Sequence, residues 1–359
     1  MKIKITKARP HKRKPKPTDE STLGFGRLFC DHFFIARHND KKGWYESAIV
    51  PYGPLKLDPA AVCFHYGQAI FEGMKAYRGK DNSIYLFRPT ENIKRMNVSA
   101  ERLCMPAMDP DLFMEGMKKL VLLEKEWIPR GHGTSMYIRP TMIGIENALG
   151  VHPSADYLFY IIVGPVGTYY ATGFSPTRIF VTEEFVRAAP GGVGYCKAAG
   201  NYAASLLASK KAMDMGFTQV LWLDGRERKY VEEVGTSNIF FLIGKNLATP
   251  NLSGTILPGV TRDSVIQLAR SWGTTVEERP ISIDEVTAGI KDGTITEVFA
   301  SGTAAIVSPV GEIFYKGTNF VVNERKIGPV TERLYNEILQ IQYGEKKDPF
   351  GWRVKIAGP

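Results

Sequence analysis

No apolar run in this 359-residue sequence reaches the roughly 18 to 20 residues that a membrane-spanning helix needs. The best candidate, Tyr157 to Val166, carries two tyrosines and breaks at Gly164-Pro165, so it reads as a buried strand. Cysteine is scarce. The four present, Cys30, Cys63, Cys104 and Cys196, have neither metal-type spacing nor the density of a disulfide scaffold, which points to no metal site and to a reducing cytoplasm. A secretory signal is not expected either, because no apolar core follows the basic N-terminus. Residues 1–17 contain no acid but hold eight of the 46 Lys and Arg, leaving 38 basic against 37 acidic residues elsewhere. The net charge of +9 is therefore almost wholly that of a short arm carrying Pro10, Pro15 and Pro17, and the body is nearly neutral. Such an arm reads as a solvated or loosely docked extension, which argues against nucleic acid as the partner. A hydrophobic content of 44% excludes wholesale disorder and suits one large or two medium domains.

Strand signals occur at Gly24 to Phe34, at Gly43 to Pro51, and from Tyr66 to Tyr77 and Ser83 to Phe87 around a Gly79 to Asn82 turn. From Thr90, placed as a cap, Ile93, Met96, Ala100 and Leu103 recur at helical spacing. Asp109-Pro110 opens a second helix with Phe113, Met117, Leu120 and Val121 on one stripe. Strands follow at Met136 to Ile145 and Tyr157 to Val166. Gly167 to Thr177 has the composition of a connection. Beyond it, helices expected at Asn201 to Met215, Val260 to Trp272 and Pro329 to Ile341 mix with strands at Gln219 to Leu223, Ile239 to Ile243 and Ile295 to Ala300. The division expected is an arm (1–22), a small N-terminal domain (23–166), a connection (167–177) and a large C-terminal domain (178–359). Without a regular strand-helix repeat, the fold class is α+β in two domains.

Gly191 to Tyr202 sets Lys197 among glycines and small side chains. It reads either as a tight surface turn with a solvated lysine or as a nucleophilic amine, since small, apolar neighbours lower a lysine pKa enough for Schiff-base chemistry. Tyr202 follows as a phenol that can hydrogen-bond a ligand. Leu223 to Asn238 reads as a hairpin in which Glu232 and Glu233 point to opposite faces, one solvated and the other buried beside Val231. A buried carboxylate needs a cationic or donating partner; taken alone, both also fit ordinary surface glutamates. Ile256 to Arg262 is either a proline-glycine turn or an anion-binding helix N-terminus. Ser301-Gly302-Thr303-Ala304 is a small hydroxyl-bearing loop, and Arg95 sits on the first amphipathic helix.

In order, Phe64-His65-Tyr66-Gly67, Phe71-Glu72-Gly73, Arg88-Pro89, Gly191 to Tyr202, Glu233 to Asn238, Leu257 to Arg262 and Ser301 to Ala304 resemble the branched-chain amino acid aminotransferases, from about Leu23 to Gly344. The resemblance implies a two-domain, fold type IV, pyridoxal 5′-phosphate-dependent enzyme, with a smaller N-terminal α/β domain, a larger mixed C-terminal one, and a homodimeric assembly. It implies that Lys197 joins the cofactor as a Schiff base and shuttles the substrate proton, that Glu233 faces the pyridine nitrogen, and that Tyr202 meets O3′. Arg95, the N–H groups of Val260 and Thr261, and Thr303 would cradle the phosphate, with Arg187 in the same polar shell. Phe25, Tyr66, Phe71, Tyr137, Tyr169, Thr236 and Ala304 would line the substrate pocket, with Leu149 and Val151 reaching in from the neighbouring subunit.

The implied reaction is ping-pong transfer of the amino group of L-leucine, L-isoleucine or L-valine to 2-oxoglutarate, giving branched-chain 2-oxo acids and L-glutamate. Where mammalian members carry a redox-active Cys-x-x-Cys, this sequence has Ala305 and Ser308. D-Amino acid transaminases and aminodeoxychorismate lyases share fold type IV and are the alternative, but Phe25-Gly26, Asp31-His32 and Tyr137 to Pro140 favour the L-specific branched-chain group.

Overall fold

The structure, a computed structural model, describes residues 2–167 and 173–358. The chain divides into two compact units. The first comprises Met1–Ala171, Cys196–Gly200 and Gln340–Pro359, and the second Thr172–Tyr195 and Asn201–Leu339.

A nine-stranded sheet organises the first unit. Its order is Lys4–Ile5, Gly43–Pro51, His32–Asn39, Asp156–Val166, Ser135–Gly144, Met74–Arg78, Ile84–Phe87 and Arg353–Ala357, with Ala69–Phe71 also pairing Ser135–Gly144. All pairs are antiparallel except the first. The helices Pro89–Arg102 and Pro110–Leu123 supply Ile93, Met96, Phe113, Met117 and Leu120 to the same core as Phe34, Ile138 and Phe159. Asp109 caps the second helix, accepting from the N–H groups of Asp111 (2.9 Å) and Leu112 (3.0 Å). Thr90, by contrast, lies inside the first turn of its helix. Pro89 opens that helix, because a first-turn residue needs no N–H donor.

Several expectations are corrected. The first strand of the 24–34 segment starts only at His32. The segment around Tyr66 is a short helix, Val62–Tyr66, ended by Gly67 in the left-handed conformation, and strands resume at Ala69–Phe71 and Met74–Arg78. Residues 353–357, placed by linear division in the C-terminal domain, form the sheet edge of the first unit, because the backbone of Ile84–Phe87 needs a second neighbour. Of the two readings of the basic arm, solvated or docked, the structure shows a docked backbone whose basic side chains stay exposed. Lys4–Ile5 adds a strand to Gly43–Pro51, and Ile3 and Ala8 are buried. The backbone N–H of Lys14 donates to Asp31 (2.8 Å), and its ammonium lies 4.0 Å from the Tyr52 ring centre.

The second unit holds its own nine-stranded mixed sheet: Val231–Val234, Gln219–Leu223, Thr177–Val181, Ile306–Tyr315, Ile295–Gly302, Asn238–Ile243, Asn246–Thr249 and Val276–Glu278, with Thr318–Val321 beside Ile306–Tyr315. Alternation along Gln219–Leu223 sends Leu221 and Leu223 into one apolar cluster and Val220 and Trp222 into another. The helix expected over Asn201 to Met215 is two pieces, Ala199–Ala204 and Leu206–Asp214. Between them the Ser205 hydroxyl donates to the Tyr202 carbonyl (2.7 Å) and competes with the helical ladder. Val260–Ser271 and Pro329–Tyr343 form as helices near their expected limits.

Candidate active site

In the first unit, Lys197 rides on the returning segment Cys196–Gly200. Its N–H donates to Ser99 Oγ (3.0 Å), its carbonyl accepts from Phe71 N–H (3.1 Å), and Ala198 bridges Ile70. The backbone is thus fastened on both sides. The ammonium lies 4.8 Å from the Phe71 ring centre, and the flanking Cys196 and Ala198 are buried. A solvated turn is not what the segment forms.

Arg95 sets its fork on Glu72, with Nε to Oε1 at 2.7 Å and Nη2 to Oε2 at 2.9 Å, and Asn92 donates to Oε2 at 2.8 Å. Glu72 is fully buried. Burial opposes its charge most strongly, but Arg95, with Lys197 and Asn92, outweighs this and holds the carboxyl below its ordinary range. Beside this pair, Phe25 meets Tyr137 edge-on at 4.9 Å. The guanidinium of Arg139 lies 4.6 Å from the centre of Phe71 and 5.3 Å from that of Tyr137. Arg139 Nη2 donates to the Tyr137 hydroxyl (3.1 Å), while its buried Nε has no hydrogen-bond partner among the described residues. The Tyr66 hydroxyl donates to the Leu149 carbonyl; the Leu149 and Val151 side chains are exposed. Tyr169 lies outside the described residues.

In the second unit, the buried carboxylate of Glu233 gathers three partners. Arg187 Nε stands 2.5 Å from Oε2, an ion pair by distance though not aligned as a hydrogen bond; Asn238 Nδ2 and Leu257 N–H approach Oε1 at 3.0 and 3.3 Å. Arg187 also donates to the carbonyls of Gly194 (2.9 Å) and Thr255, tying the glycine-rich loop to the Glu233 strand. Glu233, Arg187, Asn201, Tyr202, Thr236 and Leu257 line one recess. Its floor depends on Gly235, which has φ of +56°; a Cβ there would stand 2.1 Å from Gln219 Oε1. The helix Val260–Ser271 begins at Gly259 without a side-chain cap, and a Cβ at Gly259 would lie 2.0 Å from Asn238 Oδ1. Val260 and Thr261 therefore open a helix whose first-turn N–H groups can receive an anion, and whose start is linked to Glu233 through Asn238. Thr303 and Ala304 are half-buried in the turn after Ile295–Gly302.

Glu232 is not solvated. It is buried as deeply as its neighbour, with Thr255 Oγ1 donating to it, and burial raises its pKa. Alternation correctly separates the two glutamates, but a loop covers the second face as well. Sequence reasoning assigns no role to Glu72, Asn92, Arg139, Asn238 or Thr255. Glu72 and Asn238 lie inside the motifs quoted above, and Asn92 precedes Arg95 by one helical turn; Thr255 offers no local signal.

The model of the family Amino-transferase class IV matches residues 69–313. Branched-chain-amino-acid transaminase 1 of Bacillus subtilis is 52% identical over 96% of this chain and 97% of its own. A probable branched-chain-amino-acid aminotransferase of Staphylococcus aureus is 49% identical over 99% and 98%. Among solved structures, the branched-chain amino acid aminotransferase from Escherichia coli has a TM-score of 0.73 at 29% identity, covering 91% of this chain and 99% of that one. A second solved enzyme of that name, from T.th. and complexed with N-(5′-phosphopyridoxyl)-L-glutamate, has a TM-score of 0.74 at 28% identity, covering 90% and 98%.

Proposed function

Because the chain belongs to the class IV aminotransferases, and among them to the branched-chain amino acid aminotransferases, we propose that it transfers the amino group of L-leucine, L-isoleucine or L-valine reversibly to 2-oxoglutarate in a ping-pong cycle. The observation that carries this reading is the buried Glu233 carboxylate, braced by Arg187 and Asn238 and opening on a recess shared with the Tyr202 phenol. An acid held this way suits a heterocycle with a protonated nitrogen, a phenol suits its ring hydroxyl, and an uncapped helix start suits a phosphate. The residues present therefore fit pyridoxal 5′-phosphate.

When bound, that cofactor supplies an electron sink for the charge left as the substrate loses its α-proton. Glu233 keeps the ring nitrogen protonated, and Arg187 pairs with Glu233 and keeps it in place. Tyr202 holds the ring oxygen O3′. Arg95, Thr303 and the N–H groups of Val260 and Thr261 orient the phosphate. Lys197 anchors the cofactor and carries the proton between substrate Cα and cofactor C4′. Phe25, Tyr66, Phe71, Tyr137, Thr236 and Ala304 surround the aliphatic side chain. Apolar walls discriminate single methylenes weakly, so all three substrates are accepted. Arg139, set between Phe71 and Tyr137 with an unpartnered Nε, receives the side-chain carboxylate of glutamate and 2-oxoglutarate. The exposure of Leu149 (69%) and Val151 (84%) supports a homodimer in which they complete the neighbour's pocket.

Borohydride treatment of the yellow enzyme should fix the chromophore to the peptide containing Lys197. Lys197→Ala should abolish turnover of leucine with 2-oxoglutarate. Label on another lysine, or a Lys197→Ala enzyme that retains its rate without added amine, overturns the assignment. A parallel assay with D-alanine should give no product.

A further inference from the structure

The first unit carries a second cavity, a cleft of about 520 Å³ lined by Arg78, Lys80, Arg130, His132, Tyr343 and Glu345, among others, and by none of the residues assigned above to transamination. Its volume lies within the range of small-molecule sites. The cleft forms where the turn between Met74–Arg78 and Ile84–Phe87, the loop before Ser135–Gly144, and the residues ending Pro329–Tyr343 come together.

Its chemistry is that of an anion receptor. Arg78 is buried, with Nε and Nη2 donating to the carbonyls of Ile128 (3.3 Å) and Lys125 (2.5 Å). Arg130 Nη1 donates to Asn82 Oδ1 (2.7 Å). Among the described residues, both guanidinium groups thus hydrogen-bond only neutral oxygens. Burial and the nearby Arg130 each disfavour the charge on Arg78, and the acids that oppose them, Glu126 and Glu20, form no ion pair with it. Glu20 is occupied in accepting the backbone N–H groups of Arg130 and Gly131. The lining carboxylate, Glu345, is matched by Lys80 at 3.1 Å. Two like charges brought together with neither in an ion pair among the described residues are stabilised by an anion that bridges them, and guanidinium forks match phosphate oxygens in pairs. One wall is flat: the exposed His132 ring stacks on Tyr343 at 5.4 Å, inclined by 18°.

We propose that this cleft binds the phosphate group of a small molecule, with Arg78 and Arg130 as its principal donors and His132 as a platform for any attached planar ring. The assignment is independent of the transamination reading. It is tested by isothermal titration of the holoenzyme, whose cofactor phosphate site is filled, with inorganic phosphate, pyrophosphate, AMP and succinate. Saturable one-to-one binding of a phosphate probe is expected. It should weaken by about ten-fold in Arg130→Gln, and fall further in an Arg130→Gln, Lys80→Gln double variant and as salt rises. Both side chains are exposed, so these variants should fold and keep their transamination rate. Tighter binding of AMP than of inorganic phosphate would identify an aromatic organic phosphate as the guest; equal binding would identify free phosphate. The proposal is overturned if no phosphate probe saturates by roughly 10 mM, if succinate binds as tightly as pyrophosphate, or if Arg130→Gln leaves the affinity unchanged.

Discussion

Glu72 bears a heavy electrostatic load, being fully buried against Arg95 beside the Lys197 segment. Its carboxyl titrates below its unfolded value of about 4.3, so the stability it contributes is complete above that pH and is lost as pH falls through the folded pKa. Glu72→Gln should cost about 3–5 kcal/mol at pH 7 by leaving Arg95 buried without its counter-charge. In urea melts from pH 7 to pH 3, the gap to the wild type should close below about pH 4.3; a constant gap would show that the pair is not the cause. Arg139 permits a kinetic test. Arg139→Gln should raise KM for glutamate and 2-oxoglutarate by about ten-fold or more and change KM for leucine much less. An equal rise for all three would move the guanidinium's role away from the side-chain carboxylate.

Helices are legible where their signals are local. Asp109-Pro110 with its apolar stripe predicts its helix because the cap, the first turn and the buried face are all close in sequence. Asp109→Ala should destabilise the enzyme by about 1 kcal/mol, read as a shift in urea midpoint without a change in slope. The helix Ile283–Asp292 is missed despite its Ser282 cap and terminal Gly293, as are the edge strands Lys4–Ile5 and Arg353–Ala357, whose partners are distant in sequence. The candidate site divides in the same way. Lys197, Tyr202 and Glu233 announce themselves through motif order, and each occupies a built setting. Of the groups around them, Asn238 reaches Glu233 from within the same motif, whereas Glu72 meets Arg95, and Thr255 meets Glu232 and Arg187, between segments far apart in the chain, which no periodicity encodes.

The two units are discontinuous in the chain, and this is why reading from one end to the other places residues 353–357 with their sequence neighbours rather than with their sheet. Removing residues 350–359 should expose the backbone of Ile84–Phe87 and uncover Phe87, which meets Trp352 edge-on at 5.7 Å. Hydrogen exchange at residues 84–87 should then accelerate strongly; protection equal to that of the full chain would mean that the strand adds nothing to the sheet.

The same closing strand bears on biosynthesis. Translation is directional, yet a sheet begun by residues 4–5 receives its far edge only when residue 357 has cleared the ribosomal tunnel. Meanwhile the nascent N-terminal half carries an open hydrogen-bonding border, an opportunity for chaperones and for mispairing between adjacent polysomal chains.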